Sequence, residues 1–270
     1  VCLLITLYVR HELSYDDFHE DADRIYRVVS DWGDQAMPVT TWPAVREIMR
    51  QNPSLSVAPF FETSAVVNQE TNRFNERVFM AQPSFFEVFT FPLRRSSANE
   101  VLSTPYSAVI TPSVADKYFG DRSPVGQTLE MGGLSGTDET LQVTVRGILA
   151  PIPEASHFHP KILVSWATMN AAFNFEEAMA DAWGSNRLRT YLKVPDDASP
   201  EALAADFTRQ GKARAGQSWN GATFKLQPLT SIHLHSNLDQ EIGPTGSAAY
   251  VWLFAVVAAF ILVLACVNFV

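Results

Sequence analysis

The chain has 270 residues and a net charge of -9 from 29 acidic and 20 basic side chains, and it carries no Lys/Arg run that would follow phosphates. That balance excludes nucleic acid as a partner and leaves room for one large domain or two lobes, each able to bury a core. Both cysteines, Cys2 and Cys266, lie in apolar ends, so the charged body has neither a disulfide nor a cysteine metal site.

Val1 to Val9 (VCLLITLYV) is apolar, lacks an initiator Met and has no cationic flank before it. It reads as the end of a membrane helix and not as a signal peptide. Arg10 to Arg24 is polar with spaced Leu13, Tyr15 and Phe18, an exit from a bilayer into a fold. Ile25 to Val29 is strand-like. Thr41-Trp42-Pro43 opens a helix with Trp42, Val45, Ile48 and Met49 on one face, and Asn52-Pro53 stops it. Strands are expected over 57–67 and 76–80.

After a polar link at 94–100, a strand at 107–110 leads to a helix with Thr111 as its cap, Pro112 in its first turn and Gly120 at its end. Strands follow at 127–131 and 141–148 around a glycine-rich hairpin at 132–136, and these could form a small sheet of their own. A second strand, helix, strand unit occupies 188–194, 200–215 with Ser199 as cap, and 223–226. From Ile242 to Val270 there is no charged residue. A helix over 248–270, at ~1.5 Å per residue, covers the ~30 Å hydrocarbon core. Every charge therefore lies between Arg10 and Glu241, in a body tethered to a membrane at both ends. The positive-inside rule cannot orient it, because loops longer than roughly 60 residues cross regardless of charge.

Candidates for chemistry fall away one by one. His157 and His159, and likewise His233 and His235, would share a face if they lay on strands, but neither pair has a clear third zinc ligand. The HExxH motif fails at Tyr15 and at Asp23, a Gly-Lys-Ser/Thr ending fails at Ala213, and no Gly-x-Ser-x-Gly elbow occurs. Asp16, Asp17, Glu20, Asp21 and Asp23 have no cation-binding pattern and read as a solvated face. Phe85, Phe86 and Phe89 could form an apolar interface. The i,i+4 spacing of Phe85 and Phe89 favours the core instead. No catalytic residue, cofactor site or metal site is expected.

Several blocks, in order, resemble MacB-like ABC transporter permeases of the FtsX-like group common in Bacteroidetes-type bacteria. They are Glu12 to Arg27 (ELSYDDFHEDADRIYR), Phe85 to Leu93 (FFEVFTFPL), Val109 to Gly120 (VITPSVADKYFG) with Pro124 to Gly126, Ile152 to Phe158 (IPEASHF) and Leu229 to Ser236 (LTSIHLHS). The resemblance implies an α/β (α+β) periplasmic domain of two lobes, a porter-like split βαβ lobe with a second mixed lobe inserted in it. Its division would be the end of transmembrane helix 1 at 1–9, a stalk at 10–21, the porter-like lobe at 22–92 and 186–235, the inserted lobe at 93–185, a stalk at 236–247 and transmembrane helix 2 from 248 to 270.

The implied function is mechanical: ATP-driven motion crosses the inner membrane to export or extract a substrate or to drive a periplasmic partner. Leu13, Tyr15, Phe18, Asn237 and Leu238 would belong to the coupling stalk. The partners so implied are a cytoplasmic ABC ATPase, a second permease in a dimer, inner-membrane lipid and a periplasmic or outer-membrane protein. Two other classes fit the tethered body, the ligand-binding domain of a two-helix membrane sensor and a metal-dependent hydrolase.

Overall fold

The computed structural model describes residues 1–94, 98–134 and 139–268. In chain order the elements are α1 (Cys2–Leu13), β1 (Ile25–Asp31), β2 (Ala36–Met37), α2 (Trp42–Gln51), β3 (Ser56–Gln69), β4 (Asn72–Ala81), α3 (Phe85–Val88), β5 (Leu93–Arg94) and α4 (Ala98–Leu102). There follow β6 (Ser107–Ile110), α5 (Pro112–Phe119), β7 (Thr128–Gly132), β8 (Thr140–Leu149), β9 (Ile162–Ser165), α6 (Trp166–Phe173) and α7 (Phe175–Ala178). The chain closes with β10 (Arg189–Lys193), α8 (Pro200–Ala215), β11 (Thr223–Pro228), α9 (Ile232–His235) and α10 (Ala248–Asn268). Part of the glycine-rich hairpin, 135–138, and the last two residues of the expected membrane helix lie outside the described residues.

Local chemistry sets most helix ends. The Thr41 and Ser199 side chains accept hydrogen bonds from the amides of Ala44 and Ala202, each ahead of a proline in the first turn, which satisfies a donor that the helix itself leaves open. Thr111 departs from the expected cap. Its hydroxyl pairs with the Ser113 hydroxyl at 3.0 Å rather than with a helix amide.

The strands form one mixed sheet in the order β11-β1-β10-β3-β4-β9-β6-β8-β5, with β7 bridging β3 and β8. One end of the sheet comes from the two flanking stretches of sequence and the other from the stretch between them. The strands expected to form a small sheet are part of this larger one, because β4 pairs in parallel with β9 through Phe79–Leu163, Met80–Val164 and Ala81–Ser165. The long β3–β4 hairpin explains the continuity. Its base pairs with β10 through Ser56 to Phe60, while Val66 to Asn68 pairs with β7. Phe61, Val67 and Val78 share a core with Ile110, Val143 and Val164, so the two halves bury one another's apolar surface.

On the opposite side Phe60, Phe79, Phe85, Phe89, Phe91, Phe158 and Tyr191 form a second core. Phe85 and Phe89 are fully buried there and serve the core, while Phe86 packs half-buried against it. Phe158 stacks on Phe60 at 5.5 Å and meets Phe89 edge-on at 5.1 Å. It is the anchor of the irregular loop that carries His157. Phe158→Ala should cost about 3–5 kcal/mol, in line with other buried Phe truncations, read as a lowered urea midpoint for the detergent-solubilised chain.

The membrane-directed helices lie side by side. Tyr8 meets Phe254 edge-on at 5.5 Å, and the Cys2 thiol reaches the Ala258 carbonyl at 3.6 Å. α10 has 21 residues, long and apolar enough to cross a membrane, with Trp252, Phe260 and Val267 exposed along it. A large exposed apolar helix surface of this kind is stable in lipid rather than in water.

Candidate functional site

The two ends of the body converge on a buried polar junction. Its entering limb follows α1, and its leaving limb is the irregular segment 236–247 that precedes α10. In the segments 10–21 and 236–247, where the resemblance implies stalks, α1 ends at Leu13 and side chains of both segments make specific contacts with the body. Leu13 and Asn237 are exposed, Leu238 is half-buried, Phe18 packs on the second core, and the Tyr15 ring stacks flat on the His233 ring at 3.4 Å.

At the centre is Arg27 of β1, whose side chain is 1% exposed. Its Nη1 and Nη2 each donate to a different oxygen of Glu241 at 2.6 Å, a bidentate pair. Nε and Nη2 also donate to the Gln227 amide oxygen at 3.0 and 2.8 Å, and Nη2 to the Ser236 hydroxyl at 2.7 Å. The Ser236 hydroxyl in turn donates to Glu241. Burial alone would raise the Glu241 carboxyl, but hydrogen bonds and charge from Arg27, then the Ser236 hydroxyl, hold it below its ordinary value. The leaving limb is therefore bonded to the first strand of the body, through an arginine that also holds Gln227 of the last strand.

Beside this pair is a second one. Asp16 adopts a left-handed backbone, φ 65°, which turns the chain back after α1 and points its carboxylate inward. The Asp16 Oδ1 accepts the His157 backbone amide at 3.1 Å and lies 2.9 Å from His157 Nδ1, while His157 Nε2 and the Tyr191 hydroxyl are 2.9 Å apart. Burial pushes the Asp16 carboxyl up, yet the charge and hydrogen bonds of His157 and the charge of His19 outweigh it, so the group sits below its ordinary value. Asp16 thus departs from the solvated face expected of the acidic stretch; Asp17, Glu20, Asp21 and Asp23 are exposed. The Asp16, His157, Tyr191 row has the order of a proton relay. It ends, however, in a buried phenol that burial pushes up to about 12, which has no access to a substrate.

The third contact joins the two limbs through His233 of α9. Glu12 of α1 pairs with His233 Nε2 at 2.9 Å, and the Gly246 amide donates to the His233 carbonyl at 2.8 Å. Two glycines permit this closeness. A Cβ on Gly243 would lie 2.3 Å from the His157 carbonyl oxygen, and one on Gly246 would lie 2.7 Å from Glu12 Oε2. Ile242, just before Gly243, is buried in the second core.

The histidine pairs do not act as the strand reading required. His157 and His233 are buried while His159 and His235 are exposed, the first pair in a loop and the second on the short helix α9, so neither pair presents two rings to one ion. Among the described residues no group of three or more His, Cys, Asp or Glu is placed to hold a metal. Sequence reasoning missed Arg27, Glu241, Ser236 and Gln227 altogether. A lone arginine within the strand-like run after Arg24 was the one available signal.

A body of mixed α/β structure is joined at its two ends to α1 and α10, and buried polar contacts hold both connections. The chain belongs to the family of MacB-like periplasmic core domains, which matches residues 1–210. It is thus the periplasmic domain of an ABC transporter permease, a class whose role is not enzymatic, and such permeases work with an ATPase partner. Three solved structures share the fold. A permease-protein domain from Porphyromonas gingivalis is 20% identical with a TM-score of 0.63, covering 82% of this chain and 94% of its own. The periplasmic region of MacB from Actinobacillus actinomycetemcomitans is 14% identical, TM-score 0.53, over 85% and 95%. The extracellular domain of the noncanonic ABC-type transporter YknZ from Gram-positive bacteria is 13% identical, TM-score 0.53, over 75% and 99%. No curated protein matches the sequence. Ser236 and Glu241 lie beyond the matched residues, so the leaving half of the junction is described by the structure alone.

Two stability measurements follow. Glu241→Ala leaves a buried guanidinium unpaired and should cost about 3–5 kcal/mol, while the double change Arg27→Met, Glu241→Leu should cost much less, as seen by urea unfolding in detergent. The second concerns His19, buried with Nδ1 accepting the Thr90 amide at 3.0 Å. Burial pulls this imidazole down to about 4 from 6.5, against the raising effect of Asp16. Because the unfolded chain then binds the extra proton first, stability falls as pH drops from about 6.5 towards about 4. Asp16 and Glu241, both held low, lose their contribution further down, below the ordinary carboxylate range. Between about pH 8 and pH 5 the His19 share is on the order of 2 kcal/mol, and His19→Gln, which keeps an acceptor for Thr90, should remove that share of the pH dependence.

Proposed function

We propose that this domain transmits ATP-driven motion from the membrane helices into the periplasm as a mechanical coupler. The observation that carries the reading is the junction, where Glu241 of the leaving limb is bonded to Arg27 of the body, and Glu12 of α1 and Gly246 of the limb are both bonded to His233. A loosely tethered sensor domain would not need both of its tethers bonded to the body. In this reading a shift of α1 against α10 enters the body without slack through Arg27, Gln227 and Tyr191. The cytoplasmic ATPase supplies the shift, the inner membrane holds the helices, and a periplasmic partner or an exported molecule receives the displacement. Coupling of this kind requires an element with two arrangements that both ends can bias. The contact between α1 and α10 is that element.

The test is a crosslink between them. With Cys266→Ser to remove the other native thiol, Ala258→Cys places a partner next to the native Cys2, whose sulfur already touches residue 258. In the complete transporter, oxidation should leave ATP binding intact and abolish the ATP-dependent output, with reduction restoring it. Full output from a fully crosslinked sample would rule out relative motion of α1 and α10 as the input.

A further inference from the structure

A groove of about 730 Å³ opens between α2, β3 and the α6–α7 segment, with Gln240 of the leaving limb on its wall. Its volume falls within the range of small-molecule sites. Trp42, Phe61, Met169, Phe173, Phe175 and Met179 give it apolar walls, with Phe175 stacked over Phe61 at 5.9 Å. The polar groups gather on one wall. Arg189, with 7% of its side chain exposed, donates through Nη2 to Glu62 at 3.2 Å and to the Gln240 carbonyl at 2.8 Å. Both of those partners line the groove, which places the guanidinium at its wall. Its Nη1 is buried with no hydrogen-bond partner. A buried cationic donor left open costs free energy that a bound acceptor would recover.

The charge balance of the wall points to the sign of that acceptor. Glu62 is already engaged by Arg189 and lies 3.5 Å from Arg77. Arg187, exposed and lining the same groove, adds a further cation on a chain whose net charge is -9. An apolar trough with a cationic end is complementary to a molecule with an alkyl chain and one anionic head. We infer that this groove binds a fatty-acid-like monocarboxylate, its chain against Trp42, Phe61 and Phe175 and its carboxylate at Arg187 and the free Nη1 of Arg189. Charge-assisted hydrogen bonds fix the head and apolar burial holds the tail.

The tryptophans provide the readout, since Trp42 lines the groove and Trp166 lies 5.1 Å from it, ring centre to ring centre. The chain, carrying Trp252→Phe to silence the membrane helix, is placed in phosphatidylcholine nanodiscs and titrated with 11-bromoundecanoate, whose bromine quenches indole fluorescence on contact. Saturable quenching is expected. The uncharged 11-bromoundecanol should bind at least about tenfold more weakly, the share of a charge-assisted hydrogen bond. Arg187→Ala, an exposed change, should weaken binding severalfold, and Ala178→Phe, also exposed and on the groove wall, should block it. Quenching that does not saturate, that the alcohol matches, or that survives Ala178→Phe would overturn the assignment. No quenching at all would do so equally, leaving the groove to a protein partner.

Discussion

The structure depends on a charge that the fold has to satisfy internally. Arg27 is on the second strand from the edge of the sheet, with its guanidinium closed off from water, and Glu241 is the one carboxylate that meets it with both oxygens. Removing a guanidinium from water is expensive, and only a paired, fully hydrogen-bonded arrangement recovers the cost. The chain therefore cannot leave the body freely towards α10. It must first carry Ser236 and Glu241 to Arg27 on β1, and this brings Ile242 into the core and the two glycines against His157 and Glu12. One ion pair thereby fixes where the segment leading to α10 meets the body.

The same logic explains the inward turn after α1. Asp16 sits in a left-handed conformation and is buried, a combination that is favourable because His157 supplies both a backbone amide and a ring nitrogen. The loop bearing His157 is held in turn by Phe158 in the aromatic core. Motion at the junction is thus tied to the rigid part of the body. The groove beneath α6 and α7 is tied to it as well, since Arg189 on its wall holds the Gln240 carbonyl of the leaving limb.

Local signals in the sequence were enough for α2, α5 and α8. Thr41, Pro112 and Ser199 mark their starts and Gly120 and Asn52 two of their ends, and the chemistry that writes these signals acts over a few residues. The strands of the flanking units were legible for a similar reason. β9 was missed because Ile162 to Ser165 is buried on both faces and so shows no alternation. The single sheet was missed because strand order is decided by contacts between distant segments. The junction was the least legible part. Arg27 and Glu241 are 214 positions apart, and nothing near either residue announces the other. The apolar ends and the family blocks, by contrast, gave the class of protein directly from the order of residues.

The central claim is that the leaving limb moves with the body and not against it. Its most direct test is a distance measurement by electron–electron resonance in the complete transporter, with Cys2→Ser and Cys266→Ser and spin labels at Asn237→Cys on the limb and Lys212→Cys on α8. The account predicts one narrow distance distribution, the same without nucleotide and in the ATP-trapped state, that broadens when Glu241→Ala is added. A distribution that is broad or shifts on ATP binding in the chain with Glu241 intact would show slack between limb and body and contradict it.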